Sequence, residues 1–163
     1  MRNLRTEAVA EIAHGRIWPV ALQRPMWSSR LNLVTAHELE GLRVELAKGR
    51  VPSDLEAKLN KLAAGSLSHR FIEQHCQTII GLLLASEEGS FMGASRAERD
   101  RLLRVLAYVR KDDDAIPDYR PDGFTDDQEE MRAVTIELKP LVGSFKAWRL
   151  QHQVPAFWMR ERR

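Results

Sequence analysis

The sequence predicts an all-α fold, a compact bundle of about five to seven helices. Three observations carry this reading. A serine or threonine stands three residues before a glutamate or glutamine at Thr35–Glu38, Ser53–Glu56, Ser95–Glu98 and Thr125–Gln128. In that pattern a hydroxyl and an acidic or amide side chain satisfy the first N–H groups of a helix. Apolar residues recur after each of them at three- and four-residue spacing. No stretch alternates apolar and polar residues with the period of two that a half-buried strand requires.

The elements follow in order. Leu4, Val9, Ile12 and Ala13 share a stripe, so a first helix is expected, ending near Gly15. Arg16–Ser29 carries Pro19 and Pro25 and reads as an extended or turn segment, with Trp18 and Trp27 covering a core. The helix opened by Thr35 runs to Gly49, and the helix opened by Ser53 carries Leu55, Leu59, Leu62 and Ala63 toward Gly65. From Leu67 to Ala85 the second half is apolar nearly all round, which marks the most buried helix. Ser95 opens a helix ending near Lys111, and Asp112–Phe124 is a loop holding Pro117, Pro121 and Gly123. In the next helix Asp126 and Asp127 lie in the first turn, where the helix dipole favours negative charge. Pro140 should kink or split that helix, whose apolar face includes Ile136 and continues through Leu150 until Pro155 ends it.

The chain reads as a single helical domain over 1–163: an N-terminal helical extension over 1–94, a helix–loop–helix region over 95–150 and an aromatic, basic tail over 151–163. One cysteine, Cys76, excludes an intramolecular disulfide. With no apolar leader at the N-terminus, this composition leads us to expect a cytoplasmic protein. The longest uncharged apolar run, Thr78–Ser86, is about half of what spans a bilayer, so no membrane span is expected.

Net charge is +2, but its distribution is uneven. Asp112–Glu130 holds nine acids against one base, Arg120, whereas Lys139–Arg163 holds six bases against one acid, Glu161. In the acidic stretch, proline-fixed turns hold Asp114, Asp118, Asp126 and Asp127 in place at little entropic cost. The structural expectation is that Asp114 and Asp118 accept loop N–H groups while Asp126 and Asp127 cap the next helix. The alternative is a divalent cation held by the same four carboxylates, although the spacing is not that of an EF-hand.

The run Tyr-Val-Arg-Lys-Asp-Asp-Asp-Ala-Ile-Pro-Asp-Tyr-Arg-Pro-Asp-Gly-Phe-Thr-Asp-Asp, Tyr108–Asp127, resembles the signature of the YkvA-like family, also called domain of unknown function 1232. The matching positions are Tyr108, Asp114, Ile116, Pro117, Asp118, Pro121, Gly123, Phe124, Asp126 and Asp127. With its flanking helices the match covers about a quarter of the chain. Where the family has a proline and apolar residues before Ile-Pro-Asp, this chain has Arg110, Lys111, Asp112 and Asp113. The resemblance implies a small helical domain and names no reaction.

No phosphate-binding glycine loop, nucleophile elbow or paired-cysteine motif is present. His69 and Glu73 can face one way on their helix, but His75 and Cys76 do not join them as zinc ligands would. Trp148, Arg149, Phe157, Trp158, Arg160, Arg162 and Arg163 interleave aromatics with bases. That mixture suits a protein-docking peptide, and equally base stacking with phosphate contact. With Trp18 and Trp27 these are the expected interaction residues.

The sequence therefore reads as a non-catalytic helical interaction module, an accessory subunit of a larger intracellular assembly, with a protein partner and no cofactor. The alternatives are a nucleic-acid-binding accessory protein using its C-terminus, and a divalent-metal-dependent enzyme centred on the acidic loop.

Overall fold

The computed structural model describes residues 26–154, which form an all-helical bundle. The expected helix at Leu4–Ala13 and the tail from Pro155 lie outside the described residues. A 3-10 helix spans Met26–Leu33, followed by α1 (Ala36–Ala47), α2 (Ser53–Ala63), α3 (Leu67–Glu87), α4 (Arg96–Arg110), α5 (Thr125–Glu137) and α6 (Lys139–Gln151). Where an extended or turn segment was expected through Ser29, the chain winds into a 3-10 helix from Met26.

The capping patterns divide into two pairs. Thr35 Oγ1 accepts from the Glu38 N–H while Glu38 Oε2 accepts from the Thr35 N–H at 2.7 Å, and Ser95 and Glu98 repeat this reciprocal pair. Ser53 and Thr125 instead sit one residue inside their helices, behind Pro52 and Phe124, and neither of those caps has a side-chain bond. A hydroxyl inside the first turn no longer faces the N3 donor, so both expected boxes are corrected. Ser66 caps α3, a cap that no box pattern announced. Gly49 closes α1 at φ +71°, a left-handed turn that a side chain would strain.

Helix α3 is the central element and packs against α1, α2, α4, α5 and α6. Its second half, Ile79–Ser86, is buried apart from the half-buried Gly81, as the apolar run requires. Leu55 and Leu62 of α2, Ile72 and Cys76 of α3, and Leu102 and Leu106 of α4 are fully buried. Each such leucine contributes on the order of 2 kcal/mol of transfer free energy. Pro140 splits the last helix as expected: α5 ends at Glu137, Leu138 joins the halves, and the proline stands in the first turn of α6. Two residues expected on the buried face are not there, since Ile136 is 68% and Leu150 78% exposed. Ile136 stands two residues past buried Val134 within α5 and so falls off its buried stripe, and beyond the break at Pro140 that stripe no longer fixes the face on which Leu150 falls. Among the described residues, no helix is long and apolar enough to cross a membrane.

Candidate functional site

The acidic loop closes over a buried charge centre where α2, α4 and α5 meet. Lys58 lies on α2 between Leu55 and Leu59, and helical spacing turns it inward with them, so its aliphatic stem packs in the core and the residue is only 6% exposed. Its Nζ donates to the Lys111 carbonyl at 2.6 Å and pairs with Asp118 Oδ2 at 2.7 Å and with Asp127 Oδ2 at 3.4 Å. The contact with Asp127 is an ion pair without hydrogen-bond alignment. The Phe124 ring lies 5.6 Å from the same ammonium.

The loop folds on itself to bring Asp118 there. The Asp118 N–H donates to the Asp112 carbonyl, the Arg120 N–H to Pro117 and the Gly123 N–H to Arg120. Gly123 is required by this closure, because a Cβ there would stand 2.6 Å from the Pro117 oxygen and 2.7 Å from the Asp118 Cα. On the α4 side, Tyr108 Oη donates to Asp126 Oδ2 at 2.7 Å, and the Ile116 N–H reaches the same oxygen at 3.1 Å. Ile116 also donates to Asp114 Oδ1 at 3.3 Å. Thus Asp114 serves a loop N–H as expected and Asp126 shares that same N–H, whereas Asp118 takes the lysine and neither Asp126 nor Asp127 caps α5.

Carboxylates outnumber cations in this centre. Asp126, Asp127 and Glu130 are all 0% exposed. Among the described residues, one oxygen each of Asp114, Asp118 and Asp126, and both oxygens of Asp127 and Glu130, have no hydrogen-bond partner. The excess negative charge shows in the protonation equilibria. Burial, then the charges of Asp126 and Asp118, pushes the Asp114 carboxyl up to about 6 against the pull of Lys58. Burial and the neighbouring acids push Asp127 well above the usual carboxylate range, although Lys58 opposes them. Burial also raises Glu130 to about 7, opposed by Arg30 and Arg101. Burial alone would lower the lysine, but Asp127, Asp118 and Asp114 outweigh it and hold Lys58 charged.

The sequence reading found Asp114, Asp118, Asp126 and Asp127, and the structure brings all four into one centre with Tyr108 and Ile116. It missed Lys58 and Glu130. The available signals were a lysine inside the leucine stripe of α2 and a glutamate one helical turn after Asp126. Trp148 packs partly buried against Phe91 and Phe145 and stacks on His152 with ring centroids 4.9 Å apart, and Arg149 is half-buried. Trp18, Phe157, Trp158, Arg160, Arg162 and Arg163 lie outside the described residues, and of Trp27 only the backbone is described. His75 Nδ1 bonds its own helix at the Phe71 carbonyl and Cys76 is fully buried.

No family model, curated protein or solved structure matches the chain.

Proposed function

We propose that this chain is a non-catalytic helical interaction module, an accessory subunit that presents the loop over residues 112–124 to a protein partner. One observation carries the reading. Tyr119 is 85% exposed, while the side chain of the preceding residue, Asp118, is 7% exposed and ion-paired with buried Lys58. Pro117 and Pro121 bracket the exposed Tyr119–Arg120 pair, and consecutive turns fix the backbone between them. Tyrosine and arginine are the side chains that most often anchor protein contacts, and a pre-ordered loop loses little entropy on binding. The carboxylates beneath face Lys58, Tyr108 and the Ile116 N–H, which gives them the work of holding the loop's shape.

The same residues support placing the chain in the YkvA-like family. The signature positions Tyr108, Asp114, Ile116, Asp118, Gly123, Asp126 and Asp127 lie in or against one buried centre. On this reading the signature encodes a loop anchor.

The test is affinity capture of the tagged full chain from its native extract, with and without nuclease, beside Tyr119→Ala. A stoichiometric protein that survives nuclease and is lost with Tyr119→Ala is expected. Equal recovery by the variant would move the contact surface elsewhere, and nuclease-sensitive recovery would favour nucleic acid.

A further inference from the structure

We propose that Asp114, Asp118 and Asp127 form a site for a hard divalent cation, of calcium's size. Each offers one carboxylate oxygen, and no two of these ligand atoms are more than 4.8 Å apart. Two oxygens bound to one cation lie at most twice its bond length apart, about 4.6–5.2 Å for Ca²⁺ and about 4.0–4.2 Å for Mg²⁺. Ca²⁺ fits any spacing up to that bound, whereas Mg²⁺ requires every pair to lie within its smaller limit and gives up its bound water reluctantly. The ligands are all oxygen, with neither cysteine nor histidine among them, a set that selects hard ions.

A second observation points to a ligand beyond the clustering itself. Asp127 is 0% exposed, its side chain is turned into the cluster, and neither of its oxygens has a hydrogen-bond partner among the described residues. A buried carboxylate in that state is costly unless a cation stands near it. Lys58 supplies one positive charge, and its short contact, 2.7 Å, is to Asp118 Oδ2, with Asp127 farther at 3.4 Å. Asp118 Oδ1 and Asp114 Oδ2 stay unpartnered, so ligand atoms remain after the lysine is satisfied. One ammonium against three carboxylates leaves a charge of −2, which a divalent ion neutralises. Asp126, whose Oδ2 accepts from Tyr108 and Ile116, is not one of the three clustered ligands. Asp114 is half-buried and follows exposed Asp112 and Asp113 in the loop.

The test is calorimetric titration of the chelator-treated full chain with CaCl₂ and then MgCl₂ at neutral pH, with thermal unfolding in parallel. Saturable one-to-one Ca²⁺ binding is expected, weaker for Mg²⁺, with the unfolding midpoint raised by about 5–10 °C at a hundredfold excess over Kd. Asp114→Asn should abolish binding. This half-buried position is the decisive variant, since Asp127→Asn changes a fully buried group, and circular dichroism checks the fold of each. Asp113→Asn, at the exposed rim, should bind as the wild type does. No saturable heat, undiminished binding by Asp114→Asn, or equal loss in Asp113→Asn would overturn the site. Tighter binding of Mg²⁺ would overturn the assignment by size.

Discussion

Lys58 Nζ and Asp118 Oδ2 meet at 2.7 Å inside the bundle, tying α2 to a loop sixty residues further along the chain. Both side chains are almost wholly buried, at 4% and 7% exposure, so solvent screens the pair little. Removing the lysine alone would strand at least two carboxylates. Lys58→Met should therefore cost about 3–5 kcal/mol in urea unfolding. Adding Asp118→Asn and Asp127→Asn to it should recover most of that loss, because the stranded charges go with the lysine. A triple variant no more stable than the single one would show that the ion pairs are not the source of the loss.

Tyr108 and the Ile116 N–H share Asp126 Oδ2. Tyr108→Phe keeps the ring's packing and removes one donor from a fully buried carboxylate. A loss of about 1–3 kcal/mol in denaturant is expected. Amide exchange at Ile116 reports the local consequence, since the remaining N–H then holds that oxygen alone. Unchanged stability would mean that the hydroxyl bond contributes nothing net.

Glu130 sets a pH dependence. Its folded-state carboxyl is raised from 4.5 to about 7, so the folded chain binds this proton more tightly than the unfolded chain. The stabilising contribution is present below about 4.5 and is lost as pH rises toward 7. The groups facing it are Arg30 from the 3-10 helix, Arg101 from α4, and Asp126 and Glu129 on its own helix. Glu130→Gln removes the titration, so its stability relative to wild type should rise between pH 5 and pH 8 by chemical denaturation. A constant difference across that range would refute the assignment.

Gly123 is fixed by space: its missing Cβ leaves room for Pro117 and Asp118. Both obstacles are backbone and cannot rotate aside, so Gly123→Ala should cost roughly 1–3 kcal/mol. Proteolysis within the loop should also speed up, because the turn bringing Asp118 to Lys58 is disturbed. Gly41, with nothing within 4 Å of an added Cβ, is the control, and Gly41→Ala should be neutral to stabilising in the exposed middle of α1.

Much of the fold was legible because its signals are local. The boxes at Thr35 and Ser95 worked since hydroxyl, glutamate and backbone donors lie within one turn. Those at Ser53 and Thr125 failed because a cap depends on where the chain enters the helix, and Pro52 and Phe124 moved that point. Ile136 was misplaced because two residues past Val134 is off a 3.6-residue stripe, and Leu150 because a stripe cannot be extrapolated across Pro140. The acidic site was half legible. Its aspartates stand close together in sequence, whereas the lysine that completes it lies about sixty residues earlier, and its place in the leucine stripe of α2 says that it is buried but not against what.

The sequence by itself determined the all-helical class, the buried second half of α3, the break at Pro140 and the loop that carries the aspartates. These rest on periodicity, missing N–H groups and turn chemistry, which act over a few residues. The tertiary structure alone decided that Asp127 and Glu130 are buried and that Lys58 stands beside Asp118 and Asp127. Whether a charge is solvated or buried depends on which helices close over it, and here α2, α4 and α5 converge around α3 from distant parts of the chain.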